Sequence, residues 1–487
     1  MGKTLRTYLA LILKGLWWMT IVLYASVDLS HPAWPLARAF LVTAILLATG
    51  LGLGIGVAPV LISLLCLFGL WALAGIRGFI LPLIVLSLAA NQLLGKLRKK
   101  NRTVFGRHPW FRYPVAVGIT DRFLHTHVLG PTGSGKSSSV LMPMIWQDLS
   151  QGHGLSLIEP KGDLSQAARD AALRTGHEVL YMDPDDPLVP HFNPLSGPAE
   201  VAAEGLAWAM DQASQSGHPF YATLSRLELL YATLAVKEAF PLRADVATLM
   251  RFLRQEGFRR EILASCQDDR TLAYYHEQVG RQSQAKAHEQ RVGLLNRLEL
   301  LLVNPSVRNI LAGPGDFTWD EALQNGYVVI CPFSLARLGG SARLLGNLFW
   351  HGLMMASYRR PVGARHPYFL FLDEFHQYVS PDLGDYLALA RGYGIGITLA
   401  HQDLGQLSSE LKSAALANCR QRLVLGGVSS DDERELTRSS TKPLRQSIAP
   451  DIRHLPLGKA WLERTENGRL RQPVLIQLAH RSLGSTS

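Results

Sequence analysis

The chain has 487 residues, 47% hydrophobic and 18% charged, with a formal net charge of +10, enough for two or three domains. Residues 1–95 carry +4 of that charge and residues 96–122 carry +7, which leaves −1 for everything after residue 122 and excludes a uniformly basic soluble body. Cys66, Cys266, Cys331 and Cys419 lie far apart without a C-x-x-C pair, so neither a disulfide framework nor a zinc site is indicated, as in a reducing compartment.

The first elements are apolar. No residue is charged from Ala39 to Ile76 or from Gly78 to Gly95, and residues 8–27 are interrupted only by Lys14. A spanning helix needs about 20 residues, so these stretches predict four membrane passes (8–27, 39–57, 60–76 and 79–94) in preference to two. Trp17, Trp18 and Trp34 suit interfacial positions, and the cluster at residues 96–102 (KLRKKNR) marks the cytoplasmic side. The expected domains are a transmembrane helical domain over 1–95 and a basic juxtamembrane linker over 96–122. Everything beyond residue 96 is then cytoplasmic.

Residues 123–129 alternate apolar and polar and predict a strand, and Ser138–Leu149 predicts a helix with a kink at Pro143. Between them, residues 130–137 (GPTGSGKS) match the phosphate-cradling loop G-x-x-x-x-G-K-[ST] in full. Gly130, Pro131, Thr132, Gly133, Ser134, Gly135, Lys136, Ser137 and Ser138 are therefore the expected nucleotide-binding residues. The glycines let backbone N–H groups turn toward phosphates at a helix N-terminus. Lys136 is expected to reach the β- and γ-phosphates of ATP, and Ser137 to hold Mg²⁺.

Residues 154–160, 327–331 and 394–400 predict further strands of a parallel α/β sheet. Asp183, Asp185 and Asp186 are bracketed by prolines and read as a loop better than as a nuclease metal site. Residues 198–322 are helix-rich, and Leu224, Leu227, Leu230, Leu234 and Val236 form a core stripe at roughly helical spacing. Residues 251–308 hold ten basic residues against seven acidic ones, a solvated face as readily as a DNA or partner surface. Residues 368–374 (YFLFLDE) form a buried-strand run ending in two acids. Asp373 is expected to hold the metal through water and Glu374 to polarise the attacking water. Gln402, after the 394–400 strand, could contact the γ-phosphate or serve only as a turn former.

The cytoplasmic part resembles the coupling-protein ATPases of conjugative type IV secretion systems, within the HerA–FtsK group of P-loop motors. The likeness runs through the phosphate loop with Met142-Pro143, residues 158–163, 174–184 and 192–195. It continues through residues 302–308, 369–375 and 391–402. The resemblance implies a RecA-like motor, in two parts over 123–197 and 323–487, with an inserted all-helical domain over 198–322. It also implies a homo-oligomer, a hexameric ring, in the bacterial inner membrane. The partners implied are single-stranded DNA with its attached relaxase and the secretion-channel proteins. A motor ring needs an arginine that reaches a neighbour's ATP. Arg391 sits where the family pattern places it, with Arg420 and Arg422 in reserve, although each could equally be a surface salt-bridge residue. Two features depart from the family: more than two membrane passes, and Glu159 where the family carries aspartate. The competing functions are a double-stranded DNA translocase, a receptor ATPase for protein effectors, and a membrane scaffold gated by nucleotide without motor activity.

Overall fold

A computed structural model describes residues 101–481 apart from 213–218, 280–283, 312, 380–381 and 440–451. The expected membrane passes over 8–94 lie outside the described residues. Among those described, no helix is long and apolar enough to cross a membrane.

The framework is an eleven-stranded sheet. Its strands, in chain order, are β1 (Arg102–Arg107), β2 (Pro114–Gly118), β3 (Thr126–Leu129), β4 (Gly154–Glu159), β5 (Val179–Tyr181) and β6 (Val328–Pro332), then β7 (Tyr368–Asp373), β8 (Ile395–His401), β9 (Gln421–Leu425), β10 (Lys459–Glu463) and β13 (Val474–Gln477). Between the last two, β11 (Thr465–Glu466) and β12 (Arg469–Leu470) make a separate small hairpin. The spatial order is β2-β1-β13-β10-β9-β3-β8-β7-β4-β6-β5. From β9 to β5 all neighbours are parallel; β10, β13, β1 and β2 extend that sheet antiparallel.

A parallel sheet must be covered on both faces, because its crossover helices lie there. Residue alternation along β7 divides the core accordingly: Tyr368, Leu370 and Leu372 join one apolar cluster, Phe369 and Phe371 the other. The second cluster is closed by the helices Met142–Ser150 and Asp163–Arg174. Pro143 falls where a π-helical turn over Lys136–Leu141 passes into the α-helix Met142–Ser150, in the first turn of the latter.

Between β5 and β6 the chain is helical, from Ala199–Gln212 to Trp319–Asn325. In the long helix Pro219–Ala239 the expected stripe shares Val236 with the buried face, and the Leu224 side chain lies outside the described residues. Leu229, Ala232, Ala235 and Val236 are fully buried, whereas Leu227, Leu230 and Leu234 are half-buried. The offset is filled by a buried acid. Glu228 accepts from the hydroxyls of Tyr274 and Tyr275 and from Arg291, at 3.0–3.3 Å. A hydrophobic pattern cannot announce such a position, since the carboxylate is buried only because three donors meet it.

Asp183 and Asp186 accept backbone N–H groups two residues on, and Asp185 pairs with Arg337. These acids close turns after β5.

Candidate nucleotide site

Open parallel sheets bind ligands beyond the carboxyl ends of their strands, and the predicted residues converge there. β3 enters the loop Gly130–Ser137. One strand, β8, separates it from β7, which ends in Asp373 and runs into Glu374. Gly133 and Gly135 take positive φ of 80° and 90°, the left-handed region that a side chain at those turns would disfavour. At Gly130 a Cβ would lie 2.9 Å from Leu425 Cβ.

Six polar side chains line the site. The Ser137 hydroxyl lies 3.4 Å from Asp373 Oδ2 as its donor. Lys136 Nζ donates to the Gly130 carbonyl at 2.6 Å and lies 3.9 Å from Glu374 Oε1. Gln402 Nε2 donates to Glu374 Oε1 at 2.7 Å, and its Oε1 accepts from the Thr132 hydroxyl at 2.8 Å. Gln402 thus bridges the phosphate loop and the acidic strand end.

Burial sets the charges. It pushes Asp373 up to about 6, with help from Glu374 and Glu159 and against Lys136. It also lowers Lys136, opposed by Glu374 and Asp373. Lys161 lowers Lys136 further and so adds positive charge on the same sheet edge. Glu374 itself has φ 49°, a left-handed conformation of a non-glycine residue that persists only where its surroundings enforce it. Its Oε2 is buried without a hydrogen-bond partner among the described residues. An acid strained and half-satisfied beside a lysine fits a group meant to meet a further polar atom. The Ser137 hydroxyl and Asp373 carboxylate are oxygen donors of the kind Mg²⁺ takes.

Glu159 has another task. At the end of β4 its carboxylate accepts from the N–H groups of Lys161, Gly162 and Ser165 at 2.7–3.0 Å. It fixes the turn into the helix Asp163–Arg174, and the longer side chain reaches three donors.

Arg391 does not join its own site. It lies in the turn Ala390–Tyr393 that precedes β8, at the opposite end of the strands, where its charge bears on His125. Arg391 and Arg420 are exposed. Arg422 is buried in β9 and 3.7 Å from Glu463, which removes it from reach of a neighbour.

The composition of the loop region gave no warning of a histidine pair beneath it. His127 in β3 and His401 at the end of β8 are fully buried, stacked at 4.9 Å, with their Nε2 atoms 2.7 Å apart. His401 Nδ1 contacts the Asp403 carbonyl at 3.0 Å and must donate there. Its Nε2 therefore accepts, and His127 Nε2 donates. Burial drives His401 down to about 3 and His127 well below 6.5, so both rings are neutral. The signal available in the sequence was the polar side of the alternation in residues 123–129.

The family model for conjugative DNA transfer of the type IV secretory system matches residues 87–419. The chain belongs to this family. The fold of this coupling-type P-loop NTPase is shared with solved structures. The unbound bacterial conjugative coupling protein TrwBdeltaN70 matches with TM-score 0.59 and 18% identity, over 79% of this chain and 89% of that one. Plasmid coupling protein TrwB in complex with ADP and Mg²⁺ matches with TM-score 0.56 and 17% identity, over 76% and 88%. VirB4 of Thermoanaerobacter pseudethanolicus matches with TM-score 0.50 and 14% identity, over 77% and 96%. No curated protein matches significantly in sequence.

Proposed function

We propose that this coupling ATPase is a membrane-anchored ring motor that hydrolyses ATP to drive single-stranded DNA, with its attached relaxase, into a secretion channel. The reading rests on one observation above the others. Lys136 and Ser137 from the phosphate loop meet Asp373 and Glu374 from a strand two places away, at 3.4 Å and 3.9 Å.

The roles follow from the chemistry of each group. The loop amides and Lys136 hold the phosphates, while Ser137 and Asp373 hold Mg²⁺, which when bound neutralises charge on the phosphoryl oxygens. Glu374 orients and polarises the attacking water and takes its proton. Gln402 holds Glu374 against the loop and touches the γ-phosphate from the β8 side. Arg391 serves the next subunit. Its place at the far end of the strands suits a head-to-tail ring, in which one face meets a different face of the next copy. Residues 1–95 anchor the motor in the inner membrane in several passes, with residues 96–487 in the cytoplasm.

Transfer between cells tests the reading. Lys136→Ala and Glu374→Gln each abolish DNA transfer when they replace the resident protein at equal abundance. Normal transfer by both would point to a scaffold.

A further inference from the structure

The edge of the sheet farthest from β5 is the β1–β2 hairpin, and its tip is built unlike a soluble turn. Trp110 is 85% exposed, Phe111 74% and Tyr113 49%. The tip is also ordered from within. His108 and Tyr113 are joined by a backbone hydrogen bond of 2.9 Å, and Arg112 N donates to the His108 carbonyl at 3.0 Å. The His108 ring stacks on Tyr113 at 5.0 Å, and its Nδ1 accepts from the N–H groups of Trp110 and Phe111. Three aromatic rings are thus presented on a fixed turn, Trp110 and Phe111 largely uncovered by the described chain and Tyr113 half-covered.

Charge and tether length identify the occupant. From Lys96 to Thr120 there are seven basic residues and no acid, with Arg107 next to the tip and Arg112 within it. Seven residues separate the last apolar stretch, ending at residue 94, from β1, which starts at Arg102. Such a tether spans at most about 24 Å, and the six residues of β1 add about 20 Å. The tether is thus short, and the tip follows it after a single strand. Tryptophan and tyrosine favour the headgroup level of a bilayer, and clustered arginine and lysine favour anionic lipid.

We propose that the hairpin tip, residues 108–113, is an interfacial membrane anchor. It seats its aromatic rings among anionic phospholipid headgroups and so fixes the β2–β1 edge of the motor toward the bilayer. The proposal rests on the membrane anchoring of residues 1–95 given above.

The test is hydrogen exchange on the full chain in nanodiscs of phosphatidylglycerol, in nanodiscs of phosphatidylcholine and in detergent. Amides of residues 108–113 exchange several-fold more slowly in the phosphatidylglycerol discs than in detergent, with phosphatidylcholine between. The double variant Trp110→Ser/Phe111→Ser loses that protection, keeps its ATP turnover and stays in the disc. A retained chain whose tip exchanges as fast in discs as in detergent overturns the inference alone. So does protection that appears in detergent on adding DNA or on self-assembly, because the tip then faces nucleic acid or a second copy. A chain that a salt wash releases from the discs overturns the anchoring, and the tip assignment with it.

Discussion

Gln402 accepts from Thr132 and donates to Glu374, so one side chain senses both halves of the site. Its neighbour His401 fixes where that side chain starts, through His127 on the adjacent strand and the Asp403 carbonyl. Gln402→Ala is expected to cut kcat strongly while nucleotide affinity changes little. His401→Phe, which keeps the ring and loses both hydrogen bonds, is expected to lower kcat in the same direction but less. His401→Asn partly restores it. Steady-state ATP turnover with a separate nucleotide-binding measurement checks all three, and an effect on binding alone would contradict the positioning role. The acid pair and the loop were legible because their chemistry demands fixed residue types at fixed spacing. The histidine pair was not, since His127 and His401 are 274 residues apart and each looks ordinary alone. Glu159 was noticed as a departure, but its role as a cap depends on the turn over residues 160–162 and no spacing encodes that.

Elements carry the second level of organisation. Strands β4, β6, β7 and β8 were readable as short apolar runs, because burial on both faces removes polar alternation. β5 and β9 were not, nor the antiparallel extension. β10 and β13 lie within a polar C-terminal region, and their pairing is set by tertiary contacts. That C-terminal segment returns to the site: Arg481 N donates to the Ser138 carbonyl at 3.0 Å, and its guanidinium lies 3.6 Å from the Trp146 ring centroid. Arg391 stands on the opposite element boundary, in a segment whose two flanks His125 ties together. His125 Nδ1 accepts from Ile397 N–H, and its Nε2 donates to the Leu387 carbonyl at 2.7 Å. In trans, Arg391→Ala is expected to lower turnover by ~10³-fold or more. Mixing that variant with Lys136→Ala then regains activity at composite sites, where an intact loop faces an intact arginine. No regain in the mixture would exclude Arg391 from that role.

At the scale of the whole molecule, the described part carries several imidazoles that resist protonation. Burial holds His125, His153 and His351 at about 4 and His401 at about 3, with His127 also well below its ordinary value. A group whose folded pKa is depressed contributes full stability above its unfolded pKa, here about 6.5, and loses it as pH falls toward the folded value. Asp148 and Asp373, raised by burial to about 7 and about 6, act in the opposite sense. Five imidazoles outweigh two carboxyls, so resistance to urea is expected to fall between pH 7 and pH 5. An unchanged or rising midpoint would contradict the buried-neutral assignment. The near-neutral charge beyond residue 122 belongs to the same scale. It places the basic excess at the linker and hairpin, the part nearest the proposed bilayer.

ATP turnover by the full chain in lipid, with and without single-stranded DNA, tests the motor site most directly. The wild type is expected to turn over faster when DNA is added. Glu374→Gln is expected to lose ~10²–10⁴ in kcat while still binding ATP, and with DNA unable to restore it. Undiminished, DNA-responsive hydrolysis by that variant would show that the chemistry lies elsewhere.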